Sequence, residues 1–361
     1  MKKLKNLRRS TWNGITSYAI VIIGYVIMQI LISGGNITAS LKGQLIPICA
    51  YIVMALSLNL TVGVLGELSL GHAGFVSVGA FVGAIVCIGL EGAVESSTLR
   101  LIIAMVIGAV SAGIAGLLIG IPVLRLKGDY LAIVTLAFGE IIKTLVMCLY
   151  VGKDAAGLHF GFLLKGGIEA LGMGEGARTI INGPMGVVGV RRISTFTVGF
   201  ALIIVSLFII QNLVNSRSGR AIMALRDNRI AAESVGIPVT KYKLMAFVTS
   251  AALAGAAGTL YSMNFSTTLA AKFNFNTSIL ILVFVVLGGL GKMWGSILAT
   301  IVLLVLPEIL RGLNDYRMLI YAIALIFVMI ITNNSKIIHW FVMVWTKIFK
   351  KNPKTSAKGV S

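Results

Sequence analysis

The sequence predicts an all-α polytopic membrane protein of about ten transmembrane helices, with both termini on the inner side. Three observations carry this. Of 361 residues, 57% are hydrophobic and 12% charged, with a mean hydropathy of +0.97; a soluble chain has about 45–50% apolar and about 25% charged residues. Several apolar runs reach the roughly 20 residues that a helix needs to cross a bilayer. These runs are continuous rather than alternating, which argues against barrel strands. Lysine and arginine collect between the runs and are unevenly shared between the two sides, as orientation signals are.

The runs place spans at roughly 16–34, 44–63, 68–90, 99–122, 130–151, 194–214, 243–265, 278–290, 293–310 and 318–334. The basic stretch Met1 to Arg9 leads into the first run with no clean cleavage site after it, so it reads as an uncleaved first span. The third run is rich in glycine and is expected to be broken or re-entrant. "GGLGKMWG" (Gly288 to Gly295) separates the eighth and ninth runs as a tight turn. With ten spans and an inner N-terminus, the inner segments hold 20 lysines and arginines against 10 outside, counting Arg100 and Lys243 at span ends with the segments they adjoin and leaving Lys143 inside a span. Nine spans would put the lysine-rich tail outside, against that bias.

The expected organisation is a transmembrane domain over 1–335, with an inner loop at 215–242 and an outer loop at 152–193. Residues 336–361 read as a basic interfacial helix and tail, with Ile337, Ile338, Phe341, Val342 and Trp345 along one stripe. The outer loop is rich in glycine and mixed charge, and long enough to present a surface on the outer side.

The formal charge of +19 raises nucleic acid as a partner. The basic residues form no single patch with aromatics between them, so no nucleic acid is expected; the bilayer is the partner they fit. Cys49, Cys87 and Cys148 lie inside apolar runs without metal-ligand spacing and read as small buried hydrophobes. There is no G-x-x-x-x-G-K-[ST] loop, no Gly-x-Ser-x-Gly and no His-Glu-x-x-His. No cofactor and no catalytic set are expected. Any ATP that drives this protein must be hydrolysed by another chain.

Small residues at a spacing of four mark packing seams: Gly108, Ala112, Gly116 and Gly120 in the fourth run, and Ser250, Ala254, Gly258 and Ser262 in the seventh. Ionisable groups within spans are expensive and must face protein or water. Glu67 and His72 flank "GELSLGHAGF", beside Gly66, Gly71 and Gly74. Glu140 and Lys143 stand three apart, on one helix face. Each group has two readings, a structural pair or helix end and a polar lining for a solute path. Glu67, Ser69, His72, Thr135 and Glu140 are the lining candidates.

Between two apolar runs lies "GRAIMALRDNRIAAESVGIP", Gly219 to Pro238, with Arg220, Arg226, Asp227, Arg229 and Glu233. Ser218 is a candidate N-cap for a helix over 219–226, and Asp227 for a second over 228–235. Gly236 suits the C′ position and Pro238 ends the segment. Two short capped helices make a knob, which is more than a plain positive-inside loop needs.

Three stretches, in order and spacing, resemble the inner-membrane permeases of branched-chain amino acid ABC transporters. They are "ALSLNLTVGVLGELSLGHAGFVSVGAF" (Ala55 to Phe81), "RLKGDYLAIVTLAFGEIIK" (Arg125 to Lys143) and "SGRAIMALRDNRIAAESVGIPVTKYKLMAFVTSAALAGAAG" (Ser218 to Gly258); "VVLGGLGKMWGSILA" (Val285 to Ala299) is a weaker fourth. The resemblance implies an ABC importer permease fold. It implies a multi-pass subunit of a bacterial inner or plasma membrane that passes leucine, isoleucine or valine. Its implied partners are two ATP-binding cassette ATPase subunits, a second permease subunit and an extracytoplasmic binding protein. The knob would be the ATPase-coupling segment, with Arg220, Arg226, Asp227, Ala232 and Gly236 at the matching positions. "AAESVG" is a reduced form of the glutamate-alanine-alanine signature of some importer permeases. Related permeases carry urea or short amides. The rival from another class is a proton-coupled carrier, with Glu67, His72, Glu140 and Lys143 as a relay.

Overall fold

The computed structural model describes residues 2–34, 38–124, 129–154, 157–162, 171–172 and 177–310, with scattered positions between 316 and 326. Most of the expected tenth span, all of the basic tail, and "GEG" at 174–176 are not fully within the described residues. The chain divides into two units, Met1–Leu304 and Val305–Ser361.

The first unit is a helix bundle with a small sheet. Helices α1 (Lys2–Ser33), α2 (Ala39–Asn59), α3 (His72–Gly89), α4 (Ser97–Val123), α5 (Asp129–Met147) and α6 (Phe196–Asn215) precede a pair of short helices, α7 (Arg217–Asp227) and α8 (Arg229–Ser234). Helices α9 (Val239–Ser262), α10 (Phe275–Gly288) and α11 (Met293–Ile309) follow. Among the described residues, seven helices are long and apolar enough to cross a membrane: α1 to α6 and α9, with α2 extended to Leu65. Helices α10 and α11 are apolar but shorter. The run from 278 to 310 is thus two helices, turned at Gly289 and Gly291, which both take positive φ.

Helices α2, α3 and α9 are the most buried of the long helices. Outer faces of α1 and α4 carry exposed Ile22, Ile23 and Ile27, and Val106, Val110, Ile114 and Leu118, as lipid contact requires. The two small-residue seams do not face each other. The Gly108, Ala112, Gly116 and Gly120 stripe of α4 meets Gly255, Ala251, Phe247 and Leu244 of α9. The Ser250 to Ser262 stripe of α9 instead meets α2 and α3: Ser250 Oγ donates to the Ser57 carbonyl at 2.6 Å and Ser262 Oγ to the Ala80 carbonyl at 3.0 Å. Helix α9 therefore has two close-packed faces, which small side chains on both permit.

The segment expected as an outer loop contains a sheet. Strand β1 (Leu149–Asp154) begins two residues after α5 ends, and lies between β2 (Gly157–Phe162) and β3 (Arg178–Asn182), all antiparallel. Tyr150 and Val151 pair with Phe162-side and β3 neighbours in strand register, so the fifth helix stops at Met147 rather than 151. Val151, Ile180 and Ile181 are buried. The sheet is tied to the C-terminal end of α3. Lys153 Nζ donates to the carbonyls of Ile88, Gly89 and Glu91 at 3.3, 2.8 and 2.9 Å, and Arg178 pairs with Glu91. A lysine there satisfies carbonyls that a helix end leaves without partners.

Candidate functional site

The third run is not itself broken: α3 is continuous from His72 to Gly89, and the non-helical stretch lies just before it, beside Gly66 and Gly71. Helix α2 does not stop at Asn59 but widens into a π turn, Leu60–Leu65, and ends at Gly66 with φ +81°. The amides of Gly66 and Glu67 both close on the Thr61 carbonyl. Residues 66–71 are then non-helical, and α3 starts at His72. Irregular backbone at this depth is tolerated only where protein satisfies its polar groups. Hydroxyls from two other helices do so. Thr135 Oγ1 of α5 accepts from the Leu70 amide at 3.2 Å, and Ser278 Oγ of α10 accepts from the Ala73 amide at 3.0 Å.

His72 opens α3, fully packed, with Nε2 2.9 Å from Ser57 Oγ. That hydroxyl gives its own proton to the Met54 carbonyl at 2.8 Å. Having one proton, it must accept from the ring, so His72 Nε2 is the donor. Ser69 and Ser77, just before and just inside α3, are buried, and their hydroxyls have no protein partner among the described residues. His72, Ser69 and Thr135 thus gather around the start of α3, as the sequence grouped them.

Glu67 and Glu140 do not join them. Glu67 forms an ion pair with Lys243 of α9, whose side chain is only 6% exposed. Glu140 pairs with Lys143 on its own helix, partly exposed. Glu67 and His72 do not meet because the linker turns between them: across the four non-helical residues 68–71 the two side chains go to different helices, α9 and α2. Each carboxylate carries its own cation, which is the cheaper arrangement in a medium that penalises lone charge.

At the π turn, a second polar residue, Asn59, closes α2 onto the α10–α11 turn. Its Oδ1 accepts from the Gly291 amide at 2.8 Å and its Nδ2 donates to Ser296 Oγ at 2.9 Å. Gly63 lies so close to the Asn59 amide and to Gly291 that a Cβ there would collide with both. Ser57, Asn59, Lys243, Ser278 and Ser296 did not figure among the expected site residues. Asn59 and Lys243 had a readable signal, a polar residue within or at the edge of an apolar run; the three serines had none.

The short helices are real, but their caps shift. Helix α7 is capped by Ser216 rather than Ser218, with the Gly219 amide 3.1 Å from Ser216 Oγ. Helix α8 is capped by Asn228 rather than Asp227, with the Ala231 amide 3.0 Å from Asn228 Oδ1. The reason is conformational. Ser216 and Asn228 are the residues with extended backbone (ψ 174° and 104°), which a cap needs, while Asp227 is still helical. Gly236 takes φ +83°, with its amide closing on Glu233 and that of Ile237 on Ala232; this is the paired C-terminal closure that a left-handed residue at C′ makes.

Arg220 donates to the Asn215 carbonyl and is exposed; Ala232 is buried. Arg226, its side chain 38% exposed, bridges the knob and the π turn. Its Nη1 donates to the Gly63 carbonyl at 3.0 Å, and its Nε and Nη2 both donate to Asp227 Oδ1, at 3.1 and 2.9 Å. Its Cγ fills the space over Gly66, 2.5 Å from where a Cβ would stand. Of the apolar residues here, Ile222 and Leu225 are buried, while Ile230 is 80% and Val235 75% exposed. Among the described residues no group of three metal-ligating side chains occurs.

The model of a family described as "Branched-chain amino acid transport system / permease component" matches residues 40–329. A high-affinity branched-chain amino acid transport system permease protein LivM of Salmonella typhimurium is 36% identical over 299 residues, covering 78% of this chain and 66% of that protein. The LivM of Escherichia coli K12 is 36% identical over 293 residues with the same coverage. A probable LivM of Methanocaldococcus jannaschii is 25% identical over 294 residues, covering 74% of this chain and 80% of that protein. The chain spans 66% of the length of the two bacterial relatives. No solved structure matches.

Proposed function

This chain belongs to the branched-chain amino acid transport system permease family, and from that premise we propose that it is the membrane-spanning permease subunit of an ATP-driven importer. Its solute is a branched-chain amino acid, handed over by an extracytoplasmic binding protein. ATP is hydrolysed by two separate cassette ATPase subunits, and a second permease subunit completes the path. The chain crosses a bacterial inner or plasma membrane about ten times with both termini inside.

The observation that carries this is the α7–α8 pair. Its inner face is packed, its caps are complete, and it turns Ile230 and Val235 outward. Exposed apolar side chains on a rigid, charged knob fit a docking surface for a soluble protein. Around the start of α3, the buried Ser69, Ser77, Thr135 and His72 are the residues we assign to the lining of the path. A zwitterion needs hydroxyls and helix-end dipoles rather than fixed charge. Glu67 and Glu140 are each paired with a lysine and add no lone charge.

The test is reconstitution. The tagged chain is drawn from its native membrane in mild detergent and its companions identified, and the complex is then assayed in liposomes. Co-purification of an ATPase and a second permease, with leucine uptake that needs ATP and the binding protein and survives collapse of the proton gradient, is the expected result. Uptake by the chain alone without ATP, abolished with the proton gradient, overturns it in favour of a proton-coupled carrier. Competition by urea or acetamide, but not by leucine, replaces the solute and leaves the mechanism.

A further inference from the structure

The knob has two jobs to divide, and its side chains divide them. Ile230 and Val235 point away from the membrane domain. Arg226, its side chain 38% exposed, reaches into it with Nη1 on the Gly63 carbonyl, while its Nε and Nη2 hold Asp227. The carbonyl that it holds, that of Gly63, belongs to the π turn that ends α2. A helix end leaves its last carbonyls without partners, and a charged donor is the strong way to hold one. The methylene stem of Arg226 rests on Gly66, the residue at which the chain leaves the turn.

From Gly66 the route is short. Glu67 is pinned to Lys243, the Leu70 amide to Thr135, the Ala73 amide to Ser278, and His72 to Ser57. The last three are single contacts with hydroxyls of other helices, the kind of bond that is exchanged when helices rock. A π turn is itself a local adjustment of register that recurs at functional sites. Arg226 therefore joins α7 directly to Gly63 and Gly66, at the head of the linker that leads to α3.

Resting on the permease reading, we propose that Arg226 is a positioning residue that carries movement of α7–α8 to the 66–71 linker and so to the start of α3. It is not a contact to the ATPase. The ATPase is held by the outward face of α8. Arg226 converts the position of the knob into the position of the linker, and with it the state of the path beside Ser69 and His72.

Leu68, 40% exposed in the linker, reports on this. The assembled complex is made with Leu68→Cys and with the half-buried Cys148→Ser, Cys49 and Cys87 being buried. Maleimide labelling is timed with and without a non-hydrolysable ATP analogue. With Arg226 present, the nucleotide changes the labelling rate by roughly fivefold or more, the low end of ordinary allosteric coupling. Arg226→Ala retains the ATPase subunits on purification but labels at one rate in both conditions, and its uptake is lost. Arg226→Lys, which keeps the charge without the fork, gives a reduced response; it also carries the test if the alanine variant does not accumulate.

Two results overturn the inference: loss of the ATPase subunits from Arg226→Ala, which makes Arg226 a docking contact, or an unchanged nucleotide response in both variants, which makes it a passive cap. A complex with Arg226 intact that contains no ATPase overturns the permease reading instead, and is recognised before any arginine variant is made.

Discussion

Lys243 of α9 and Glu67 of the linker form an ion pair with both side chains largely buried, 6% and 16% exposed. It ties the one non-helical stretch beside the start of α3 to the helix with two packed faces. Lys243 is buried in the second turn of α9, two residues after the exposed Lys241.

Removing one member strands the other. Glu67→Gln should destabilise the chain by about 3 kcal/mol, the lower end of what breaking a buried pair costs, because Lys243 remains and Glu67 is not wholly buried. Glu67→Gln with Lys243→Met should recover most of that loss. Thermal unfolding of the detergent-solubilised chain, followed by size-exclusion chromatography, compares the three. A double variant as unstable as the single one would show that the pair holds the linker for a reason other than charge balance.

Thr135 and Ser278 each serve one amide. Thr135→Val and Ser278→Ala should each cost roughly 0.6–1.7 kcal/mol, the measured range for interhelical hydrogen bonds in membranes. Thr135→Ser keeps the acceptor and should cost less. Hydrogen exchange at Leu70 and Ala73 should rise in the first two variants and not in the third. Equal exchange in all three would mean that the amides are protected by packing alone.

Ile230 and Val235 touch little in the isolated chain, so Ile230→Ser and Val235→Ser should leave its melting temperature unchanged. If they dock on an ATPase, each loses the burial of an aliphatic side chain, about 1.5–3 kcal/mol, or roughly a 10- to 150-fold weaker complex. Titration of purified ATPase onto the chain in nanodiscs reads this directly. Unaltered affinity in both variants would move the docking face elsewhere on the knob.

Lys153 is the bolt between sheet and bundle. Lys153→Met keeps the stem but frees the carbonyls of Ile88, Gly89 and Glu91. With hydrogen bonds to a charged group contributing about 1.5–3 kcal/mol, the β1 amides should exchange at least about tenfold faster while those of α9 stay protected. Uniform loosening of the whole chain would instead mark Lys153 as a folding residue.

Much of this was legible in the residues. Apolar length marked the long helices, because lipid leaves a spanning chain few other options. The cluster Gly66, Gly71 and Gly74 marked a place where a helix is easily broken, and Gly66 takes φ +81°. The knob announced itself by cap residues and by Gly236, and the one-residue and two-residue errors in its N-caps arose because serine and asparagine candidates stood side by side with near-equal propensity. The sheet was missed: β1 follows α5 after one residue, and its apolar content is continuous with the helix before it.

What the sequence by itself determined is the class of molecule, the position of its break and the existence of its knob, all of which follow from local composition and spacing. Only the tertiary structure decided partnership. Glu67 took Lys243 rather than His72, the hydroxyls of Ser57, Thr135 and Ser278 on three different helices came to serve one non-helical segment and the start of α3, and Arg226 reached the Gly63 carbonyl. The physical reason is that a buried polar group must be satisfied by whichever donor or acceptor the packing brings within about 3 Å, and the residues that meet here lie as far apart in sequence as Gly63 and Arg226, or Asn59 and Ser296.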